Sequence, residues 1–421
     1  MLRRLVNLFS QTYHKFPRKF WVVVGVNFID GIGGTLLFPF FSLYITQKFE
    51  VGMTTAGIIL GLFSIFGLIG SMVGGALTDK FGRRRLILFG LVFSALSTLS
   101  LGLVDTLAAL YPLSIFVGLL SHLAMPAHQA MIADLLPEEK RSEGFGILRV
   151  VANMSWLIGP TIGGFVASRS FFLLFVTDAI ISCCVAVLFY LYMPETKSAP
   201  KAREARENIL STFAGYFRVL RDGAFMAFIL AAILMGMVYL QMYNSLSVYL
   251  RDNHGINPQG YGFLMSSSAI TVILFQFWVS SVIKKRPPFL MLAFGTLFYV
   301  LGFSMFGLVS AYWLFILAVV IITIGEMLIM PTSQTLTANF APEEMRGRYM
   351  AVYGLVWMIP SAIGPGLAGV ILDNYNPNLL WYLGGGLCAV SAFSYFVLHL
   401  WLGRQERFAP VIEEEQLPVA A

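Results

Sequence analysis

A string of apolar runs, each about 20 residues long, recurs along nearly the whole chain and governs what it can become. A run of that length crosses a hydrocarbon core about 30 Å thick as a helix. Inside that core each backbone N–H and C=O must be bonded internally, so helix is the default. Alternating segments of about 10 residues, the mark of a membrane β-barrel, do not occur. We place twelve spans at 20–46, 53–78, 86–104, 109–135, 143–168, 171–192, 224–250, 258–283, 288–309, 312–338, 347–372 and 377–402. A length of 421 residues would suit two or three soluble domains, but 57% hydrophobic and 12% charged residues describe an all-α membrane protein. The first run follows no small-residue cleavage site and is expected to remain as a span.

Basic residues orient the spans. With the N-terminus inside, 24 of the 28 Lys and Arg fall on internal segments, among them Lys80, Arg83, Arg84, Arg85, Arg286 and Arg346. Only Lys48, Arg169 and Arg251 fall outside, and Arg149 lies within a span. Both termini are therefore expected in the cytoplasm. The net charge of +6 follows from this topology, and no nucleic-acid partner is needed to explain it. Cys183, Cys184 and Cys388 lie inside spans without metal-ligand or disulfide spacing, so they read as packing residues and no metal site is expected.

The chain repeats itself. Residues 126–164 align with 331–369 at a constant offset of 205 and no gap: Pro126 meets Pro331, Gln129 meets Gln334, and Arg141 meets Arg346. Pro137-Glu138-Glu139 meets Pro342-Glu343-Glu344, Gly159-Pro160 meets Gly364-Pro365, and Gly164 meets Gly369. This predicts a six-helix bundle at 1–192, a polar cytoplasmic linker at 193–223, a second bundle at 224–403 and a cytoplasmic tail at 404–421. Parallel halves of this kind rock about a site near the bilayer midplane.

The loop after the second span reads Gly75-Ala-Leu-Thr-Asp79-Lys80-Phe-Gly82-Arg83-Arg84-Arg85. Gly82 suits a tight turn between antiparallel helices, and Asp79 can pair with an arginine or face a helix N-terminus. The run resembles the loop signature of the major facilitator superfamily. That resemblance implies a conformational latch built from Gly75, Asp79, Gly82, Arg83, Arg84 and Asp134, the last at the end of the fourth span. The fifth span carries Ser155, Gly159, Pro160, Gly163 and Gly164, similar to the antiporter signature of the same family with Ser155 in place of its first glycine. This favours export. Gly33 and Pro39 in the first span resemble a further family element, with Phe41 where a second proline usually stands. The fourth span has Ser114 four residues before Gly118, where many proton-coupled drug exporters carry an arginine. The chain thus looks closer to bacterial drug/proton antiporters that lack that arginine. The resemblance covers 20–402.

Ionisable groups inside the spans are costly and therefore functional candidates. Glu326 lies mid-span, where desolvation favours the proton-carrying form of its carboxyl; its repeat partner is Ser121. We expect Glu326 to be the principal proton-coupling residue, with Asp30 second and His122 a further candidate. Asp30 reads equally as a cap for a local break at Gly31, Gly33 and Gly34. Arg149, Asn153, Trp156 and Pro160 share one helical face. Arg149 needs an anion in reach, and Asp178 on the sixth span is the candidate for a buried ion pair. In the seventh span Met237, Gln241, Asn244 and Ser245 form a stripe. With Arg149, Asn153, Trp156, Gln276 and Gln334, the polar members Gln241 and Asn244 make the expected cavity lining.

No Walker A run, phosphate loop or hydrolase motif is present, so neither an ATP-driven pump nor an enzyme is expected, nor any catalytic residue or cofactor. The expected function is secondary export, by proton-coupled efflux of amphipathic drugs or small molecules, from a monomer in the bacterial inner membrane. Its partners are the substrate, protons and membrane lipid. A lipid or lysophospholipid flippase on the same fold is the alternative, and a receptor that has lost transport a more distant one.

Overall fold

The computed structural model describes residue 13 and residues 15–196, 209–284, 286–342, 345–405 and 408. Helix is the dominant structure, and there is no strand among the described residues. The helices are α1 (Arg18–Leu37), α2 (Phe41–Lys48), α3 (Met53–Phe81), α4 (Arg83–Leu103), α5 (Leu107–Ser121), α6 (Met125–Leu135), α7 (Glu138–Ala167), α8 (Phe171–Tyr192) and α9 (Ile209–Leu220). They continue as α10 (Gly223–Tyr239), α11 (Gln241–Asn244), α12 (Leu246–His254), α13 (Pro258–Lys284), α14 (Pro288–Leu308), α15 (Tyr312–Phe340), α16 (Arg346–Tyr353), α17 (Leu355–Asn374) and α18 (Asn378–Leu402). Among the described residues, 11 helical stretches are long and apolar enough to cross a membrane. The eighth expected span, 258–283, is not among these eleven but forms as the 27-residue α13. Ser266, Ser267, Ser268, Thr271 and Gln276 dilute its apolar character.

Four expected spans are broken, each by legible chemistry. A short 3₁₀ turn over Phe38–Phe40 separates α1 from α2 at Pro39, which has no N–H to give the helix. Pro126 opens α6, where its fixed φ is pre-organised for a first turn. The seventh span is interrupted at Leu240 and Ser245, and Gln241 Nε2 donates to the Met237 carbonyl at 2.9 Å. That side chain competes for a helix acceptor. Gly354 separates α16 from α17. By contrast α1 runs unbroken through Gly31, Gly33 and Gly34, so the expected break capped by Asp30 does not exist. The linker, expected as a polar connection, contains α9, whose Val219 is fully buried while Phe217 is exposed under the Arg221 guanidinium.

The described residues form two compact units that cut across the repeat. The first takes those of Met1–Ala205 with Tyr243–Ala269 and Ser361–Asp373; the second takes those of Arg206–Met242, Ile270–Pro360 and Asn374–Ala421. In the first unit α1 packs on α7 and α8, α3 on α5, and α4 on α8. Its apolar core includes Phe20, Ile87, Ala127 and Phe189. In the second unit α14 packs on α15 and α18, and α10 on α18.

Lipid tails are as apolar as leucine, so helices in a bilayer associate by close packing rather than by escape from water. Glycines supply it here. A methyl on Gly70 or Gly74 of α3 would overlap the carbonyl of Leu119 or Leu123, and one on Gly118 would meet the Phe63 carbonyl. In the second unit Gly295 and Gly325 bring α14 and α15 together in the same way. Gly70→Val should therefore lower the unfolding temperature of the detergent-solubilised protein by several degrees. Gly25→Ala, where a methyl meets nothing within 4 Å, should leave it unchanged or slightly higher. Thermal scanning fluorimetry of the two variants side by side checks this.

Candidate functional site

The antiporter-like run on α7 is the centre of a three-helix seam in the first unit. Ser155 is buried; its hydroxyl donates to the Phe28 carbonyl at 3.1 Å, and Thr35 Oγ1 donates to the Ser155 carbonyl at 3.0 Å. Methyls on Gly159 and Gly163 would strike Thr35 and the Leu36 carbonyl on α1. Gly164 faces the start of α13, where a methyl on Gly262 would overlap the Pro160 carbonyl. Thr161 and Ser266 share a short hydroxyl hydrogen bond, and Ser266 also donates to the Leu157 carbonyl at 3.2 Å.

The same seam recurs at the repeat offset of 205. Gly57 of α3 packs on the Pro365 carbonyl of α17, as Gly262 packs on Pro160. Gly369 packs on Met53 and Thr54. Asp373 closes this contact by accepting from Met53 N at 2.8 Å and Thr54 N at 2.7 Å, so it caps α3. A carboxylate at a helix N-terminus satisfies orphan donors and complements the dipole. On α2 and α12, Ser42 and Ser247 lie 3.4 Å apart, and Arg251 Nη1 donates to Thr46 Oγ1 at 2.9 Å. Both are pairs of a position with its own repeat copy.

The intramembrane acids are arranged differently from the expected ion pair. Asp178 is 5% exposed, accepts from Thr98 Oγ1 at 2.8 Å, and lies against Gly33 of α1. Asp30, one turn earlier on α1, is half-buried and within electrostatic reach of Asp178. Arg149 is exposed and pairs with no acid among the described residues. In place of the expected Arg149–Asp178 pair, Asp178 has Thr98 as its hydrogen-bond donor and Asp30 as its charged neighbour. Helical spacing assigned Arg149 a face but could not assign that face a neighbour.

Other candidates in the first unit are spread out. Asn153 is exposed, Asn244 is buried, and Trp156 stacks edge-on against Phe38 and Tyr243 at 6.4 and 5.0 Å. The His122 ring is wedged between Phe63 and Gly67 of α3, beside the break after α5. In the second unit Glu326 is half-buried on α15, Gln276 is half-buried, Gln241 is buried and Gln334 is exposed.

At the α3–α4 loop Gly82 has φ +91°, a conformation that L side chains rarely adopt. Gly75 has open space beside it, and the Asp79 side chain lies outside the described set. Arg83 Nε sits 3.0 Å from Asp134 Oδ2, at ion-pair distance without an aligned hydrogen bond. Arg84 Nη2 donates to the Tyr190 carbonyl at 2.7 Å. Glu195, which sequence reasoning missed, accepts from Arg83 N at 2.9 Å and caps α4. It stands in the linker, read there by composition alone, as one acid among several (Glu204, Glu207 and Asp222 are the others).

A model of the Major Facilitator Superfamily matches residues 23–365 and, again, 246–417. The chain belongs to this superfamily. Among similar superfamily proteins is the Na(+), Li(+), K(+)/H(+) antiporter of Planococcus maritimus, 28% identical over 87% of this chain and 92% of the relative. The uncharacterized MFS-type transporter YttB of Bacillus subtilis is 28% identical over 86% and 91%. Multidrug resistance protein MdtH of Shigella flexneri is 24% identical over 91% and 94%. A crystal structure of a POT family transporter in complex with 5-aminolevulinic acid shares the fold, with TM-score 0.77, 20% identity, and 90% and 96% coverage. So does a bacterial homolog of the human lysosomal transporter Spinster, at TM-score 0.69 and 14% identity over 91% and 95%. These superfamily members are transporters; the chain is a multi-pass membrane transporter and not an enzyme.

The acid geometry gives a direct test. In a double-mutant cycle on folded yield and thermal stability, Arg149→Met and Asp178→Leu should be additive within about 0.5 kcal/mol. Asp178→Leu and Thr98→Val, which share a hydrogen bond, should couple by about 0.5–3 kcal/mol. Coupling of the first pair to the same degree would restore the ion pair.

Proposed function

We propose that this chain is a secondary active exporter of the bacterial plasma membrane. It drives amphipathic small molecules outward by admitting protons, with both termini in the cytoplasm. The halves 1–192 and 224–403 alternate access to a site near the midplane. One observation carries the reading: Asp178 is buried with Asp30 in electrostatic reach, and neither has a basic partner among the described residues. Two like charges in a low dielectric are costly, so such a pair holds and releases protons as a unit. Glu326, in a different repeat and half-buried, is the proposed principal coupling acid. The drug-exporter side of the reading is supported by the name of the MdtH relative.

A second reading has its own support. The Planococcus relative is named for exchange of Na(+), Li(+) and K(+) against protons, and two carboxyls in electrostatic reach of each other, with a hydroxyl on one of them, are hard oxygen donors suited to a small cation. Proteoliposomes loaded with a pH-sensitive dye separate the two. Ethidium-induced proton flux in the absence of Na⁺, Li⁺ and K⁺ supports drug/proton exchange. Flux induced only by the chloride salts of those cations supports the second reading, and no flux with either sinks both. Glu326→Gln keeps size and hydrogen bonding but cannot titrate; it should abolish flux and uphill export yet leave ethidium binding and downhill exchange measurable. Undiminished flux in that variant would move the coupling role to Asp30 and Asp178.

The loop charges are proposed to act as a latch. A pair that biases a conformational equilibrium must differ between the two states. Asp134→Asn, which removes the Arg83 partner, should slow transport severalfold while ethidium affinity stays within about twofold. Normal turnover in a well-expressed variant would make this contact a local brace only.

A further inference from the structure

The first unit carries an apolar groove of about 400 Å³ lined by Leu77 and Phe81 of α3, Leu86 and Phe89 of α4, and Leu120 and Leu123, with Arg85 at its edge. A second pocket, of about 350 Å³, shares Phe81 and Arg85 with it and adds Lys80, Arg84 and Glu195. An apolar trough thus runs into a cationic basin. The Glu195 carboxylate accepts from the backbone N–H groups of Arg83 and Arg84, so its oxygens are turned toward the start of α4. The Arg84 Nε is buried without an acceptor among the described residues. Arg85 is exposed and likewise unpaired among them.

The second unit carries the counterpart. A groove of about 360 Å³ is lined by Val282 of α13, Met291 and Phe294 of α14, Leu328 of α15, and Trp278, with Arg286 among its walls. At the repeat offset of 205, Leu77 becomes Val282, Leu86 becomes Met291, Phe89 becomes Phe294 and Leu123 becomes Leu328. Phe81 becomes Arg286, so the cation enters from the loop end of the helix in one copy and from the next helix in the other. Phe89, Phe294 and Trp278 are 47%, 53% and 67% exposed. Aromatic rings so exposed on membrane-crossing helices face acyl chains rather than protein.

We propose that these two grooves are matching sites for a resident anionic phospholipid. One acyl chain fills each trough, and the phosphate sits on Arg84 and Arg85 in the first unit and on Arg286 in the second. Charge and polarity select this occupant: the walls need hydrocarbon, the edge needs an anion, and the surrounding bilayer supplies one molecule with both. Arginine matches a phosphate bidentately, and basic residues at the membrane surface attract anionic lipids.

Native mass spectrometry of the full chain in detergent tests the sites. The protein is titrated with palmitoyl-oleoyl phosphatidylglycerol or with the phosphatidylcholine of identical chains. The expected result is two retained phosphatidylglycerols per chain, at affinities well above phosphatidylcholine. Arg85→Gln and Arg286→Gln should each weaken one of the two about tenfold, the scale of one charge-assisted hydrogen bond, and the double variant both. Arg85→Lys, which keeps the charge, should retain most of the binding and guards against a misfolding explanation. Equal retention of the two lipids, or an unaltered double variant, overturns the proposal. Displacement of phosphatidylglycerol by inorganic phosphate would make the basin a soluble-anion site, and displacement by ethidium would make the trough an export route; either result overturns the resident-lipid assignment.

Discussion

The contact on which the first unit depends is the approach of a proline carbonyl to a glycine: Pro160 to Gly262, and Pro365 to Gly57. Helices in hydrocarbon gain nothing by hiding apolar surface from one another, so dispersion at short range and interhelical hydrogen bonds must hold them. Both are concentrated at these crossings. The glycines allow backbone to meet backbone, and Thr161, Ser266 and the Asp373 carboxylate bond across the same seams. The Thr161 and Ser266 hydroxyls, inside the spans, would otherwise face a medium with no water to offer. The seam on α7 also holds α1 through Ser155 and Thr35, so a single stretch of ten residues fixes two neighbouring helices, α1 and α13.

Much of this was legible in the sequence, for stated reasons. Spans were readable because apolar length is a direct physical requirement, and the sixth was placed at its observed limits, Phe171–Tyr192. Breaks within spans were less legible: proline marks one at Pro39, yet Pro112, Pro160 and Pro331 stay inside helices. A proline removes one donor, and whether the helix then breaks depends on what neighbouring helices supply. The glycines of α1 did not break it because flanking residues favour helix and α7 and α8 pack against it.

Sites were harder to read than spans. The charge of Arg149 demanded an anion, and Asp178 was the acid of similar depth, but depth is not adjacency. The structure instead gives Asp178 a hydroxyl donor on α4 and an acid as its charged neighbour on α1. No periodicity within one helix reports which helix lies beside it. Thr98 and Asp373 were invisible for the same reason, since each matters only through a backbone or side chain far away in the chain. Glu195 was hidden by its setting, a segment whose composition suggested mere connection.

Ser42 and Ser247 are one position of the repeat facing itself. Such a self-pairing is what an isologous dimer presents at its two-fold axis, where each substitution counts twice because both subunits carry it. Joined in a single chain, the two copies are released from that arithmetic. Thr46 and Arg251 show the release in progress: one position, now a hydroxyl on one side and a guanidinium on the other, bonded across the former axis. A half-length ancestor could not have made this bond, because an arginine at both positions would repel itself. The asymmetry that lets a single acid such as Glu326 face no twin is thus a privilege of fusion, already written into the contact nearest the axis.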